Sequence, residues 1–262
     1  MRASHKRFLV TAVLPIALLG SMAAQCGPDN ADPGGAATAT AAPTATAAPT
    51  GSAAPAGTAA PTATAAPTGK PGPAKALSSD ELTKALLTKA DVPGTTKSDS
   101  GPAGGDSKTV ADKAACQPVL DLIDPMNGAT KPAAGVQGMF KTGSGGVMVQ
   151  LSQFGAGQGE KALSSAAAVL ESCSSIPGSV PGNANQKITI SVSKLGYSTL
   201  GDGTLAFKLS FTGQSSGEYS YVFVRSGDVM ISVSNVATGS VPQPDQGVVK
   251  KQLDLVKAAQ QH

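Results

Sequence analysis

Proline recurs every six residues, at Pro43, Pro49, Pro55, Pro61 and Pro67, within a stretch from 36 to 69 made almost only of Ala, Thr, Pro and Gly. Proline at that spacing bars helix, and Ala and Thr give each unit no apolar face with which to stack on its neighbour. This part of the chain therefore cannot join a core, and it is expected to be a disordered stalk. In polyproline conformation, at about 3.1 Å per residue, it would hold a folded domain up to roughly 100 Å from an anchor. The stretch has no charge and no aromatic ring. A spacer, with threonines open to O-glycosylation, is thus preferred to a motif for a proline-recognising partner.

The residues before the stalk say where it is anchored. Arg2, His5, Lys6 and Arg7 precede an apolar run from Phe8 to Leu19, and small residues follow at Gly20, Ser21, Ala23 and Ala24. This three-part pattern is that of a secretory signal segment, and the run is too short for a helix crossing about 30 Å of hydrocarbon. Cys26, in Met22-Ala23-Ala24-Gln25-Cys26-Gly27, resembles the lipid-modified cysteine of a bacterial lipobox, although Ala23 and Gln25 depart from that pattern. Cleavage after Ala23 or Ala24, releasing a soluble protein, is the alternative. Cys26 is the odd one of three cysteines, and lipidation accounts for it. The chain therefore divides into a signal peptide (1–25), a Pro/Thr/Ala-rich linker (26–75) and a folded domain (76–262).

From residue 75 onward there are 16 Lys and Arg against 15 Asp and Glu. So even a balance lacks the basic field that nucleic acid requires, and the expected membrane contact is the lipid anchor only. The two histidines are His5, in the signal segment, and His262, at the terminus, so a Ser-His-Asp or Cys-His site is not expected, nor most zinc sites. There is no GxxxxGK[ST] loop, and Gly143-Ser144-Gly145-Gly146 reads as a hairpin loop. Asp121 and Asp124, the closest notable carboxylates, sit beside a helix end and read as capping or solvated groups. No enzyme activity and no cofactor are predicted.

Ser78 and Glu81 have capping-box spacing, and Leu82, Ala85 and Leu86 share a helical face, which predicts a helix to about Lys89. The Gly- and Ser-rich stretch from Asp99 to Ser107 is expected to be a loop. Cys116, Val119, Leu120 and Ile123 predict a second helix from near Gln117, closed by Asp124-Pro125. Leu163, Ala166, Ala167, Leu170 and Cys173 predict a third, and Val249, Leu253 and Val256 a last one from about Asp245. If Cys116 and Cys173 both face the core they can pair, closing a loop of nearly 60 residues. A metal or redox pair is the weaker alternative, since no histidine lies nearby.

Strands are predicted where apolar residues alternate: Val147 to Leu151, Ile188 to Val192, Leu205 to Phe211, and Tyr219 to Phe223. Folding about Ser215 would set Phe211 opposite Tyr219, and folding about Gly227 would set Phe223 opposite Ile231. These predict a two-layer α+β domain, an antiparallel sheet with its helices packed on one face. The other face would carry Thr189, Ser191, Ser193, Lys208, Ser210, Ser220, Ser232 and Ser234. Two binding candidates follow. The aromatic stripe Phe207, Phe211, Tyr219, Tyr221 and Phe223 is core first and pocket lining second. The polar face is a hydrated surface first and the wall of a cleft second, with Ser191, Ser193, Lys208, Ser210 and Arg225 as the residues to contact a ligand.

Several segments taken together resemble the PknH-like extracellular sensor domains of actinobacterial envelope lipoproteins and membrane kinases. They are Leu86-Leu87-Thr88-Lys89-Ala90-Asp91-Val92-Pro93-Gly94, Cys116 before an apolar helix, and Val149-Gln150-Leu151-Ser152-Gln153-Phe154. Gly201-Asp202-Gly203, Val224-Arg225-Ser226-Gly227-Asp228-Val229 and Lys251-Gln252-Leu253 complete the set. The resemblance implies an α+β module with a cleft for an envelope ligand (glycan, lipid or protein) on the outer face of the cell membrane. It brings no catalytic residues. The expected function is a surface-tethered, non-enzymatic binding or sensor-type module; the alternative is an adaptor docking another envelope protein through its polar face or a sheet edge.

Overall fold

A computed structural model describes residues 74–105, 108–143, 145–180, 187–212, 217–237 and 240–262; the signal segment, Cys26 and the proline repeat lie outside the described residues. Among the described residues nine strands form: β1 (Thr95–Pro102), β2 (Val110–Ala111), β3 (Ala134–Thr142), β4 (Gly145–Gln153), β5 (Ser175–Ser179), β6 (Lys187–Lys194), β7 (Gly203–Thr212), β8 (Gly217–Ser226) and β9 (Val229–Ala237). They make one sheet in the order β1-β3-β4-β9-β8-β7-β6-β5-β2. Every neighbouring pair is antiparallel. The helices are α1 (Ser79–Lys84), α2 (Gln117–Ile123), α3 (Gln158–Val169) and α4 (Gln246–Gln260). The antiparallel α+β class is thus as the alternation predicts.

The helix starts follow their capping chemistry. Ser78 Oγ accepts the Glu81 N–H at 3.3 Å while the Glu81 carboxylate accepts the Ser78 N–H at 2.8 Å, the reciprocal box that the sequence shows. Asp245 accepts the Val248 N–H at 3.0 Å and opens α4. Pro118 stands in the first turn of α2, where its missing N–H leaves no helical acceptor unpaired.

The helices do not share one face of the sheet. α1 and α4 cover one face, burying Leu82, Val249, Leu253 and Val256 against Val149, Leu151, Val222, Val224, Ile231 and Val233. The other face carries α2 and α3, which bury Val119, Leu163 and Ala166 against Ile190, Leu205, Leu209, Phe207 and Phe223. Cys116 and Cys173 are disulfide-bonded there, with Cα atoms 5.7 Å apart, so this is the disulfide face. Because α1 and α4 lie over β3, β8 and β9 while α3 lies over β7 and β8, each face has a half covered by helices and a half without them.

One turn accounts for the division. Ser226 pairs with Val229 across the two residues Gly227 and Asp228, so Val224, not Phe223, stands opposite Ile231. Side chains alternate with period two, and this one-residue difference from the predicted hairpin sends Ile231 and Val233 to the face away from Phe223. Ser232 and Ser234 are correspondingly moved off the face that carries Ser191, Ser193, Lys208 and Ser210. The other hairpin differs by two, setting Leu209 opposite Tyr219 and Phe211 opposite Gly217. An even shift keeps the aromatic stripe on one face, as predicted.

Two further predictions are corrected. The first helix stops at Lys84 and not near Lys89, because the side chain of Gln252 takes the Ala85 carbonyl and the Leu87 N–H. The stretch from Asp99, expected as loop, lies in strand β1 as far as Pro102. It pairs with β3 at the sheet edge, and its mostly exposed side chains carry no apolar alternation to signal a strand.

Candidate functional site

Several motif residues act as joints between elements. Asp202 Oδ2 accepts the Gly227 N–H at 2.6 Å, and Asp228 Oδ1 accepts the Gly157 N–H at 2.8 Å at the start of α3. Arg225 donates to the Gly227 carbonyl at 3.0 Å and the Asp202 carbonyl at 3.3 Å. Gly201, at φ +58°, lies so close to the Arg225 carbonyl that a Cβ there would collide with it. Together these contacts tie the β8–β9 turn to the segment before β7 and to α3.

On the disulfide face, cross-strand neighbours run outward from the covered half in continuous rows. One row is Phe207, Tyr221, Ser234, Met148, Met139 and Asp99. The next is Leu205, Phe223, Ser232, Gln150, Gln137 and Gly101. Each passes from apolar core, through small polar groups, to the sheet edge. Gln150, Ser152, Ser232 and Ser234 are 7% exposed or less, and Ser234, Ser232 and Ser152 stand beside the core residues Tyr221, Phe223 and Met230. Gln150 Nε2 donates to Ser152 Oγ at 3.3 Å.

Met126, in the short turn Pro125–Asn127, forms one wall. A Cβ on Gly135 would come within 2.7 Å of the Met126 sulfur, so Gly135 leaves the room that Met126 fills. Asn127 ties this turn to the Gly105 carbonyl at 2.8 Å. At the opposite end the bare half opens into a shallow pocket of about 360 Å³ whose lining includes Met139, Met148, Val236, Lys97 and Lys141. Met139 is 53% exposed and lines this pocket beside Met148 and Val236, which makes its floor apolar. A smaller recess of about 140 Å³ lies between α2 and α3, beside Leu122, Phe154 and Lys161.

The aromatic stripe splits between these environments. Phe207 and Phe223 are wholly buried with ring centroids 5.3 Å apart, so they are core. Tyr219 and Phe211 meet edge-on at 5.5 Å and are half-buried. Tyr221 stands between, and its burial pushes its phenol above the ordinary tyrosine range. On the other side of the molecule, Tyr197 donates to the Pro244 carbonyl at 3.1 Å, and burial together with nearby Asp245 raises its phenol to about 12.

Four of the five predicted ligand contacts are brought together, and Arg225 stands apart from them. Ser191 pairs with Ser210 and Ser193 with Lys208 on the bare half of the opposite face. Lys208 there lies 2.7 Å from the Glu218 carboxylate, which also accepts Ser210 Oγ at 3.3 Å. The Lys208 ammonium, first among the causes, holds the Glu218 carboxyl below its usual range. Arg225 is on the disulfide face, engaged by the turn. Asp121 accepts the Gln117 amide at 2.8 Å and the Ala129 N–H at 3.0 Å, and Asp124 accepts the Asn127 amide at 2.9 Å, all of them structural contacts. Met139, Met148, Gln150 and Ser152 were not among the predicted contacts. The one signal for them in the sequence is polar Gln150 and Ser152 inside an otherwise apolar strand.

The fold matches the extracellular domain of PknH from Mycobacterium tuberculosis, with a TM-score of 0.51 and 13% identity over 72% of this chain and 99% of that one. An uncharacterized protein of Mycobacterium smegmatis, the Rv0999 ortholog, aligns with a TM-score of 0.38 and 13% identity, over 68% of this chain and 94% of that one. No protein-family model and no curated protein matches the chain. The PknH extracellular domain and this chain therefore share a fold, the one the sequence segments resemble.

Proposed function

We propose that this chain, whose head has the fold of the PknH extracellular domain, is an exported, non-enzymatic binding module of sensor type. It is held at the outer face of the cell membrane through a lipid on Cys26 and extended on the proline-rich stalk. The head takes an envelope ligand on the bare half of its disulfide face. The observation that carries this is the row Tyr221–Ser234–Met148–Met139: apolar side chains continue beyond the last helix, above buried polar Gln150, Ser152 and Ser232.

A surface of that kind suits a molecule with both polar and apolar parts. The exposed Lys97 and Lys141 at the rim of the pocket offer donors to sugar or headgroup oxygens, while Met139, Met148 and Val236 offer an apolar shelf. The reading as a binder is supported by the chemistry at hand: both histidines lie at the chain ends, and Asp121 and Asp124 are committed to structural hydrogen bonds. The test is a thermal-shift screen of the purified chain against cell-wall glycans, envelope glycolipids and phospholipids. At least one should raise the melting temperature of the parent and not of Met139→Glu or Met148→Glu. No shift with any of them, or a shift that both variants retain, would refute this site.

A further inference from the structure

Among the described residues the sheet has one long edge strand with no strand beyond it, and its chemistry is self-complementary. β2, at one end of the strand order, has two residues; β1, at the other end, has eight. Ala103 N–H donates to the Gly135 carbonyl at 3.0 Å, in register with the β1–β3 pairs Lys97–Lys141, Asp99–Met139 and Gly101–Gln137. In an antiparallel ladder hydrogen-bonding direction alternates along the strand. The odd-numbered residues of β1 thus bond inward to β3, and Ser98 and Ser100 aim their backbone N–H and C=O groups outward.

We propose that two copies of this chain pair antiparallel through β1, about a two-fold axis at Ser98, joining their sheets edge to edge. In that register the Ser98 N–H donates to the partner's Ser98 carbonyl and the reverse. The Ser100 N–H donates to the partner's Thr96 carbonyl, to which Lys89 Nζ donates at 2.9 Å within the chain. Lys97 then lies opposite the partner's Asp99, and Asp99 opposite the partner's Lys97. These are non-hydrogen-bonded positions, where facing side chains come closest, so opposite charges there favour pairing. Both side chains are about 70% exposed, Lys97 at 71% and Asp99 at 70%, and among the described residues their ion pair is with each other at 3.2 Å. Each pairing contact occurs twice by symmetry, as an isologous interface requires.

The ends of β1 limit the contact to its middle. The register shift between Thr95 and Lys97 twists the strand at one end, and Pro102 has no N–H to offer at the other. Such features stop an edge from propagating into open stacks while leaving room for one closed pair.

The test is the oligomeric state of the full chain carrying Cys26→Ser, measured by sedimentation velocity up to ~1 mM, a concentration at which weak association is visible. A reversible dimer is expected. Lys97→Glu and Asp99→Lys should each raise the half-dimer concentration about tenfold or more, since each sets like charges opposite one another twice. The swap Lys97→Asp with Asp99→Lys should restore dimerisation. Ser98→Pro should abolish it with circular dichroism and melting temperature unchanged, because that N–H is not used within the chain. A chain that stays monomeric, or a dimer indifferent to both the charge reversals and Ser98→Pro, would overturn the proposal.

Discussion

Gln252, fully buried on α4, closes the end of α1 by accepting the Leu87 N–H at 3.0 Å and donating to the Ala85 carbonyl at 2.6 Å. One side-chain amide supplies both a donor and an acceptor to backbone that has left its helix 165 residues earlier in the chain. The contact locks the N-terminal segment onto the C-terminal helix under the first core. Gln252→Leu keeps the volume and orphans both backbone groups, so it should destabilise the domain by about 2–4 kcal/mol. Urea unfolding followed by circular dichroism would read this as a lower midpoint at unchanged slope.

The Cys116–Cys173 bridge closes a loop between residues 57 apart. In chain-entropy terms a loop of that size stabilises the fold by about 4 kcal/mol. The double variant Cys116→Ser, Cys173→Ser should therefore lose about that much stability in denaturant unfolding, and reduction of the parent should lower its melting temperature similarly.

At the head of α1, Glu81 is pulled down to about 2, first by the Lys75 ammonium at 2.6 Å and then by the Ser78 N–H and hydroxyl. A carboxyl depressed in the folded state stabilises it at pH values above the unfolded value, about 4.3, and loses that contribution as pH falls toward 2. Glu81→Gln should accordingly be less stable than the parent at neutral pH, and the difference should shrink through this acid window. Melting temperatures of the two proteins between pH 7 and pH 2 would show the curves converging; parallel curves would rule this out.

Gly201 combines a positive φ of +58° with the near contact to the Arg225 carbonyl. Gly201→Ala should cost more than the ~1 kcal/mol usual for a strained alanine, because the Cβ must also push β8 away from the Asp202–Gly227 hydrogen bond. Faster amide exchange at Gly227, measured by NMR, would accompany the lower melting temperature. Gly94, also at positive φ but with open space around it, should tolerate alanine far better.

Deletion of Asp228, with a two-residue turn kept, would set Ile231 opposite Arg225, on the face of Phe223. It should unfold the domain, since Ile231 and Val233 would leave the core under α4 and turn toward the opposite face. Loss of the cooperative melting transition is the expected result.

Much of this was legible in local sequence. The Ser78–Glu81 box, the start of α2 at Gln117, the stripe from Leu163 to Cys173, and the alternation in β7 and β8 each depend on residues a few positions apart. Spacing alone therefore declares them. Placing both cysteines on core-facing positions made their pairing an expectation, and the bridge is there. Strands without an apolar rhythm stayed hidden. β1 carries Thr, Ser, Lys, Asp, Gly and Pro on a free edge, and β3 is broken by glycines at 135 and 138.

What the sequence by itself determined is the elements with a clear apolar rhythm: most of the helices, the alternating strands, which two thiols can meet, and where core-forming composition begins. Which face each strand turns to the helices was decided only in three dimensions. With a side-chain period of two, a single residue in the Gly227-Asp228 turn reverses every position after it, and nothing local to β9 records that choice. Asp202 and Gly201, held in another part of the chain, fix the turn together with Arg225 beside it. They thereby leave half of the disulfide face bare.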